Sequence, residues 1–436
     1  MSSGRDDPST GRYAGHLAAA VAVLLLSIWL SSGTLAPYAS TFVKPAVLQP
    51  CGYLGNIDHP EFLGSFLMLD GAPRSMWQYS VTLRRVLFPL LAYPPMKLFG
   101  FLYGGFLASM LLNACAVVGF VMFVRKEIGH RGAIASSWIL ATYPGVAYWA
   151  GLPYSYAIIV PACLASAMIL WYLERASSRA RIVGLALILG VLFLGYDLLP
   201  FFAPAALLLV VRRNALFDTF LAGAAMLFPT IVSNSLLDRL LGIQLLNPNT
   251  VSYWIIVESY FRRPQWRAWA SLISQLPAIA FGTFLYSNFI FLPLLFVLFI
   301  ALAPRGGRSL HPVELAIVLG WVAVFLFLNA APTYQARWQI RGVWIARIFQ
   351  PLFVVFLLYI ARAMESRDRR DRLRWGLITA TVVINASISF GPILLNPLAD
   401  AVYYRFYRHS PPGTMLRNLQ HYGRRPLFIC PAGRSG

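Results

Sequence analysis

The chain has few charged residues for its length. Only 12% of its 436 residues are Asp, Glu, Lys or Arg, whereas soluble domains carry about 25%. Apolar residues make up 58% of the sequence, and many occur in continuous runs about as long as a bilayer-spanning helix requires. The scarcity of charge excludes an ordinary soluble domain. The continuity of the runs favours membrane helices over the alternating pattern of a membrane strand.

Carboxylates are especially scarce, with 16 Asp and Glu against 36 Lys and Arg and a formal net charge of +20. In a soluble chain this charge would indicate a nucleic-acid partner. Here the basic residues lie between apolar runs, where membrane topology and anionic lipid explain them. The sequence also lacks a nucleophile elbow, a P-loop, a dinucleotide fingerprint and a zinc motif. We therefore expect no nucleic-acid partner.

The apolar runs predict an all-α, polytopic integral membrane helix bundle that forms a single domain over residues 1–436. We expect about 11 transmembrane helices, with interfacial helices in the first and later outer loops, where aromatic residues and arginines alternate. The segment from Ile182 to Val211 fits either two shallow helices or one broken span. This choice decides on which side of the membrane each later loop lies. The predicted spans are Ala14–Pro37, Leu98–Val124, Gly132–Gly151, Pro153–Leu173, Ile182–Leu198, Phe201–Val211, Ala215–Leu236, Leu276–Leu302, Val313–Ala331, Ile348–Ala361 and Trp375–Leu395.

The short loops between these spans are basic, which predicts the orientation of the chain. With eleven spans the short loops all face one side together with the N-terminus, and the positive-inside rule makes that side the cytoplasm. Residues 1–13 then form a disordered cytoplasmic tail, whereas residues 38–97 and 396–436 face outward. We expect the protein in a bacterial inner (plasma) membrane. The basic loops contain Arg125, Lys126, Arg131, the segment Arg175–Arg181, Arg212, Arg213, Arg305, Arg308 and the run Arg362–Arg374.

The first outer loop concentrates ionisable residues, namely Asp58, His59, Glu61 and Asp70. A carboxylate in a partly dry loop can act as a general base, because desolvation raises its pKa. Asp58 is the candidate base, and the alternative is a solvated aspartate in a turn before Pro60. The same residues, Asp58, His59 and Glu61 in particular, offer ligands for a divalent metal ion, although their spacing matches no metal motif. The candidates for a second carboxylate are Asp197, Glu61 and Asp70.

Arginines form a second constellation in the predicted outer loops. Guanidinium groups bind phosphate through forked hydrogen bonds, and several of them around one cavity would stabilise the charge on a phosphate leaving group. The alternative for any single arginine is contact with a lipid headgroup. The candidate phosphate-binding residues are Arg84, Arg85, Arg262, Arg263, Arg337, Arg341 and Arg347.

The chain has only four cysteines. Cys115 and Cys163 fall inside predicted spans, where we expect small apolar core residues. Cys51 and Cys430 both fall on the predicted outer side, where an oxidising environment would allow a disulfide between the first loop and the C-terminal tail. Sequence alone leaves open whether they are close enough to pair.

Several segments between Ala14 and Asn214 together resemble a known family. The first span leads to a long outer loop with an early Asp, and this loop ends in RRVLFPLLAYPP; a YPGVAYWAGLPYSYA hairpin then precedes a helix that ends in WYLER. This layout resembles the GT-C superfamily of polyprenyl-phosphate-sugar-dependent membrane glycosyltransferases. The resemblance implies that Asp58 is the base, that Arg84, Arg85 and the later arginines contact phosphate, and that the donor is a lipid-phosphate sugar.

Three functions are compatible with the sequence. The first is inverting transfer of a sugar from a polyprenyl-phosphate donor to a glycan, lipid or protein acceptor on the outer membrane face. The second is a transporter or flippase of a lipid-linked or anionic solute, although such proteins place charges at mid-membrane and often contain repeats. The third is a non-catalytic subunit of an envelope-polysaccharide system.

Overall fold

The computed structural model describes most of the helical body of the chain. The described residues are 13–29, 65, 68–69, 71, 83, 85–99, 101–150, 155–196, 199–213, 215–241, 291–303, 309–330, 350–366 and 368–394. Within these ranges every regular element is helical and no strand is present.

Thirteen α-helices and two short 3-10 turns make up the described part of the chain. The turns are Ser155–Ile158 and Leu199–Phe201. In chain order the helices are α1 (Tyr13–Trp29), α2 (Leu87–Phe99), α3 (Phe101–Glu127), α4 (His130–Thr142), α5 (Pro144–Ala150), α6 (Ile159–Glu174), α7 (Arg179–Phe193), α8 (Phe202–Arg213), α9 (Leu216–Leu241), α10 (Phe291–Leu302), α11 (Pro312–Ala330), α12 (Gln350–Glu365) and α13 (Asp371–Leu394).

The composition of these helices explains why they form. Lipid offers no hydrogen bonds to the backbone, so a spanning segment must satisfy its own N–H and C=O groups, as an α-helix does. Among the described residues, three helical segments are long and apolar enough to cross a membrane, namely Gly104–Glu127, Tyr156–Glu174 and Leu216–Leu237. The predicted all-α, polytopic membrane bundle is therefore confirmed, and the number of spans stays a prediction.

One predicted span is divided in two. The sequence predicts a single helix over Gly132–Gly151, but α4 ends at Thr142 and α5 begins at Pro144. Tyr143 between them is extended, with φ −64° and ψ 117°. A residue that precedes proline is driven out of the α conformation by the proline ring, so the break follows from Pro144.

The segment from Ile182 to Val211 forms two helices that leave one end of the bundle and return to it. At the end of α8, Nη2 of Arg213 lies 2.8 Å from Oε1 of Glu174 at the end of α6. At the start of α7, Nε of Arg179 donates over 2.8 Å to Oδ1 of Asp218 at the start of α9. The start of α7 and the end of α8 therefore lie on the same side, and the alternative of one broken span is wrong.

The other short basic loops within the described ranges meet at this same end, which we call the basic end. Nη1 of Arg175 lies 2.5 Å from Oε2 of Glu127 and joins the loop after α6 to the end of α3. Arg131 at the start of α4 forms an ion pair with Asp371 at the start of α13. The short loops thus share one side, as the predicted topology requires. Which side of the membrane this end faces stays a prediction.

Cys163 is buried, as expected, whereas Cys115 is exposed on α3. The interpretation of Cys115 as a core residue is therefore wrong. A helix at the edge of a bundle turns one face to its neighbours and another to lipid, and apolar residues occur on both faces of α3, so the apolar run around Cys115 does not tell which face is buried.

Candidate functional site

Of the candidate site residues, only Arg85 lies among the described residues. The others, together with the proposed disulfide, lie outside the described ranges. They are Asp58, His59, Glu61, Asp70, Arg84, Asp197, Arg262, Arg263, Arg337, Arg341, Arg347, Cys51 and Cys430.

Arg85 is buried at the end of the bundle opposite the basic end. Its residue exposure is 6%, and its guanidinium carbon lies 4.5 Å from the ring centroid of Tyr196. The Tyr196 ring in turn makes an edge contact with Tyr156, with centroids 5.5 Å apart. Both tyrosines are buried. The result is a buried cation over the face of one tyrosine ring, which contributes attraction, and a second tyrosine supports that ring.

The backbone around Arg85 is attached to the loop between α7 and α8. The N–H of Leu87 donates to the carbonyl of Leu194 over 3.4 Å. Because α7 begins at the basic end, Leu194 and Tyr196 lie at the opposite one. Asp197, a candidate second carboxylate, directly follows Tyr196 in the chain. Arg85 therefore contacts the residue that precedes this carboxylate.

Helix α2, which follows Arg85, packs closely on the start of α3. A Cβ added to Gly104 would lie 2.2 Å from the carbonyl oxygen of Pro95, so the two helices can approach this closely only because residue 104 is glycine. Tyr93 on α2 also donates from its hydroxyl to the carbonyl of Leu69 over 2.7 Å. These contacts attach the end of the first predicted loop to the helical body.

Two polar side chains inside α3 form hydrogen bonds to α5 and to the 3-10 turn that precedes α6. The hydroxyl of Ser109 donates to the carbonyl of Ala150 over 2.6 Å. The amide Nδ2 of Asn113 donates to the carbonyls of Ser109, over 2.9 Å, and Ala157, over 3.1 Å. These bonds satisfy carbonyls at the end of a short helix and in a 3-10 turn, which otherwise have no intrahelical partner. Sequence reasoning missed both residues, although a Ser and an Asn four apart in an apolar helix were a usable signal.

A further contact connects the α4–α5 break to α12, which begins three residues after Arg347. The rings of Tyr143 and Phe353 stack with centroids 3.9 Å apart. Nε2 of Gln350 donates to the Tyr143 hydroxyl over 3.4 Å. The α4–α5 break is therefore fixed against the helix that follows the third predicted outer loop.

The carboxylates whose side chains the structure describes all lie at the basic end. Each of them forms an ion pair or hydrogen bond with an arginine or, for Glu365, accepts from the backbone N–H of Gly132 over 2.7 Å. No group of His, Cys, Asp and Glu within the described ranges is arranged to hold a metal ion. The seven carboxylates are Glu127, Glu174, Asp218, Glu314, Glu365, Asp368 and Asp371.

A comparison with solved structures shows a similar fold. No protein-family model and no curated protein matches the sequence. The fold is similar to the crystal structure of ArnT from Cupriavidus metallidurans bound to undecaprenyl phosphate, with a TM-score of 0.50 and 18% identity. The match covers 95% of this chain and 75% of that one. It shows that the two chains share a fold.

Proposed function

We propose that the protein is an inverting membrane glycosyltransferase that moves a sugar from a polyprenyl-phosphate donor to an acceptor hydroxyl. The observation that carries this proposal is the buried Arg85 at the end opposite the basic end, in a fold shared with a protein bound to undecaprenyl phosphate. A guanidinium group held against an aromatic ring, with little water around it, can stabilise phosphate charge more strongly than an exposed one.

The distribution of carboxylates supports a base in the first loop. The seven carboxylates described at the basic end already form ion pairs or hydrogen bonds with arginines or the backbone. The general base of the proposed reaction is then one of the remaining acidic residues. Among these, Asp58, Glu61 and Asp70 precede Arg85 in the same predicted loop. We assign the role of base to Asp58.

The proposed reaction needs one base and no covalent intermediate. Asp58 accepts the proton of the acceptor hydroxyl while the hydroxyl oxygen forms a bond to the anomeric carbon. The bond from that carbon to the phosphate oxygen breaks, and its electron pair remains on the polyprenyl phosphate. Attack from the opposite face inverts the anomeric centre. Arg85, with Arg84 and the arginines of the later loops, stabilises the negative charge on the departing phosphate.

The proposal can be tested by separating carrier binding from chemistry. Purified protein is titrated with undecaprenyl phosphate, with undecaprenol as the control that lacks phosphate, and binding is counted by native mass spectrometry. We expect wild-type protein to prefer the phosphate, Arg85→Gln to weaken that binding about tenfold or more, and Arg85→Lys to weaken it less. Equal binding of undecaprenyl phosphate by wild type and Arg85→Gln would remove Arg85 from the proposed site.

Asp58→Asn provides the complementary test. This variant should bind undecaprenyl phosphate as wild type does, yet form no glycan product in membranes. Normal product with normal expression would exclude Asp58 as the base. Movement of a lipid-linked solute across proteoliposome membranes, without any transfer product, would instead support the alternative of a transporter or flippase.

A further inference from the structure

One region of the basic end with an excess of positive charge is the place where α8 meets α11. Three of its arginines are matched with glutamates, namely Arg175 with Glu127, Arg213 with Glu174 and Arg362 with Glu314. Arg212, next to Arg213 on α8, has no carboxylate within ion-pair distance among the described residues. These three pairs are neutral, so Arg212 leaves this region with a net positive charge.

Arg212 lies near the end of α8, and a histidine caps the start of the neighbouring helix α11. His311 precedes α11, and its Nδ1 accepts a hydrogen bond from the N–H of Val313 over 3.3 Å. Nδ1 is therefore the unprotonated ring nitrogen, and Nε2 carries the proton and remains a donor. Burial, together with the charges of Arg362, Arg175, Arg212 and Arg213, lowers the pKa of His311, so the ring is neutral at neutral pH.

The ring of His311 packs on a buried tryptophan of α6. The ring of Trp171 stacks on His311 with centroids 4.2 Å apart and planes 15° from parallel. Trp171 is 3% exposed, and its indole Nε1–H has no hydrogen-bond partner within the described ranges. The indole nitrogen is buried, so Trp171 supports the imidazole ring and is not a donor to a ligand at the surface.

Exposed apolar residues lie next to Arg212 and His311, on the side that faces the middle of the two helices. Leu208 lies four residues before Arg212 on α8, hence on the same helix face, and it is 42% exposed. Leu315, one turn into α11, is 46% exposed. The two helices cross closely further along, where a Cβ on Gly320 would lie 2.9 Å from the backbone nitrogen of Ala205. At 1.5 Å per residue, Arg212 and His311 lie at similar distances from this crossing, measured along the helix axes. The exposed leucines lie between the crossing and these two residues.

We propose that the α8–α11 junction binds one anionic phospholipid, whose phosphate accepts hydrogen bonds from Arg212 and His311 and whose acyl chain lies along Leu208 and Leu315. The donors alone would also suit free phosphate. The exposed leucines directly adjoining them favour a ligand with an apolar tail. Because Arg212 adds an unmatched positive charge, the junction prefers a lipid with net negative charge over a zwitterionic one. This site is separate from the Arg85 region and does not depend on the proposed transferase activity.

The test compares lipids on full-length, delipidated protein in neutral detergent. Binding of phosphatidylglycerol and of phosphatidylcholine is measured by native mass spectrometry and by the shift in Tm. We expect wild-type protein to prefer phosphatidylglycerol, Arg212→Gln to lose about fivefold of that preference, and His311→Phe, which keeps the ring stack, to lose part of it. The matched control is Arg181→Gln on α7, since Arg181 is also exposed at the basic end and has no ion-pair partner among the described residues; it should bind as wild type does.

Three outcomes would overturn the proposal. Arg212→Gln that retains the full preference would show that the junction is not the site. An equal loss in Arg181→Gln would show that general surface charge attracts the lipid. Inorganic phosphate that raises Tm as much as phosphatidylglycerol, and displaces it, would show that the junction binds a free anion and that the leucines contribute nothing.

Discussion

Glu314 shows how much a single buried carboxylate depends on its partner. It has 0% exposure and accepts a hydrogen bond from Nε of Arg362 over 2.9 Å. Removing one member of a buried ion pair leaves the other charge without compensation, which costs about 3–5 kcal/mol, whereas replacing both with apolar residues of similar volume is often neutral. The contribution of this pair is therefore measured by comparing single and double variants.

We predict that Glu314→Gln lowers the free energy of unfolding by about 3 kcal/mol or more, and that Glu314→Leu combined with Arg362→Met recovers most of the loss. Thermal or denaturant unfolding in detergent provides the measurement. The matched control is Lys126→Gln. The Lys126 side chain is 75% exposed, and its Nζ lies 3.9 Å from Oε1 of Glu127. Exposed ion pairs contribute about 0–1 kcal/mol. A large loss of unfolding free energy in Lys126→Gln would therefore contradict the expected difference between a buried and an exposed pair.

His311 gives the basic end a defined dependence on pH. Its Nδ1 caps the N–H of Val313, and Oε2 of Glu314 accepts in return from the N–H of His311 over 2.8 Å. This is the reciprocal arrangement of a capping box, with histidine in place of serine or threonine. Burial and the nearby charges of Arg362, Arg175, Arg212 and Arg213 lower the pKa of His311 to about 4, which keeps the capping nitrogen unprotonated at neutral pH.

Because the pKa of His311 is lower in the folded than in the unfolded protein, its contribution to stability is complete above about pH 6.5. We predict that this contribution declines as the pH falls from 6.5 towards 4. His311→Ser keeps a capping side chain that does not titrate in this range, so the variant should lose this part of the pH dependence. The measurement is Tm against pH for both proteins, and parallel curves would refute the role of His311.

At the scale of a helix pair, α7 and α9 are in contact through a glycine. A Cβ on Gly190 would lie 2.3 Å from the carbonyl oxygen of Met226, whereas a Cβ on Gly184 in the same helix would meet nothing within 4 Å. Closely approaching backbones at small residues are a common way for membrane helices to associate, since lipid provides no hydrophobic drive between them.

We predict that Gly190→Ala separates α7 from α9 and destabilises the protein by about 1–3 kcal/mol, the usual cost of overpacking. Gly184→Ala should be neutral or stabilising by up to about 1 kcal/mol, because alanine is the better helix former. Both variants change the same residue type in the same helix, so a difference in Tm isolates the contact with Met226. Equal Tm values would show that the helices are not packed as described.

Particular residues show what the sequence could and could not predict about these elements. Apolar runs located the helices, and Pro144 contained the signal for the α4–α5 break. The return of α8 to the basic end rests on Arg213 with Glu174 and Arg179 with Asp218, pairs separated by 39 residues. Charge patterns within a helix reveal neighbours three or four residues apart, but they do not reveal partners on other helices.

The same limit applies to the candidate site. The position of Arg85 after a polar loop indicated a role at the outer side, and the structure places this residue at the end opposite the basic end. Its aromatic surroundings come from Tyr156 and Tyr196, far along the chain, and could not be predicted without the helix packing. The predicted roles of Asp58 and the later arginines lie outside the described residues and stay predictions.

At the scale of the whole molecule, the separation of charge between the two ends predicts the orientation in the membrane. The described short loops place arginines at one end, and the positive-inside rule assigns that end to the cytoplasm. Lys97 lies near the opposite end, because α3, which begins four residues later, reaches the basic end only at Glu127. Ser177, in the loop between α6 and α7, lies at the basic end and is exposed.

We predict that a membrane-impermeant maleimide labels Lys97→Cys in intact cells, and labels Ser177→Cys only after the membrane is permeabilised. Both variants are made in a background whose four native cysteines are replaced by alanine, and that background without an added cysteine is the control for non-specific labelling. Labelling of both positions in intact cells would show that the cells leak. The reverse pattern, with Ser177→Cys labelled from outside, would place Arg85 on the cytoplasmic side and would contradict the proposal that transfer takes place on the outer face.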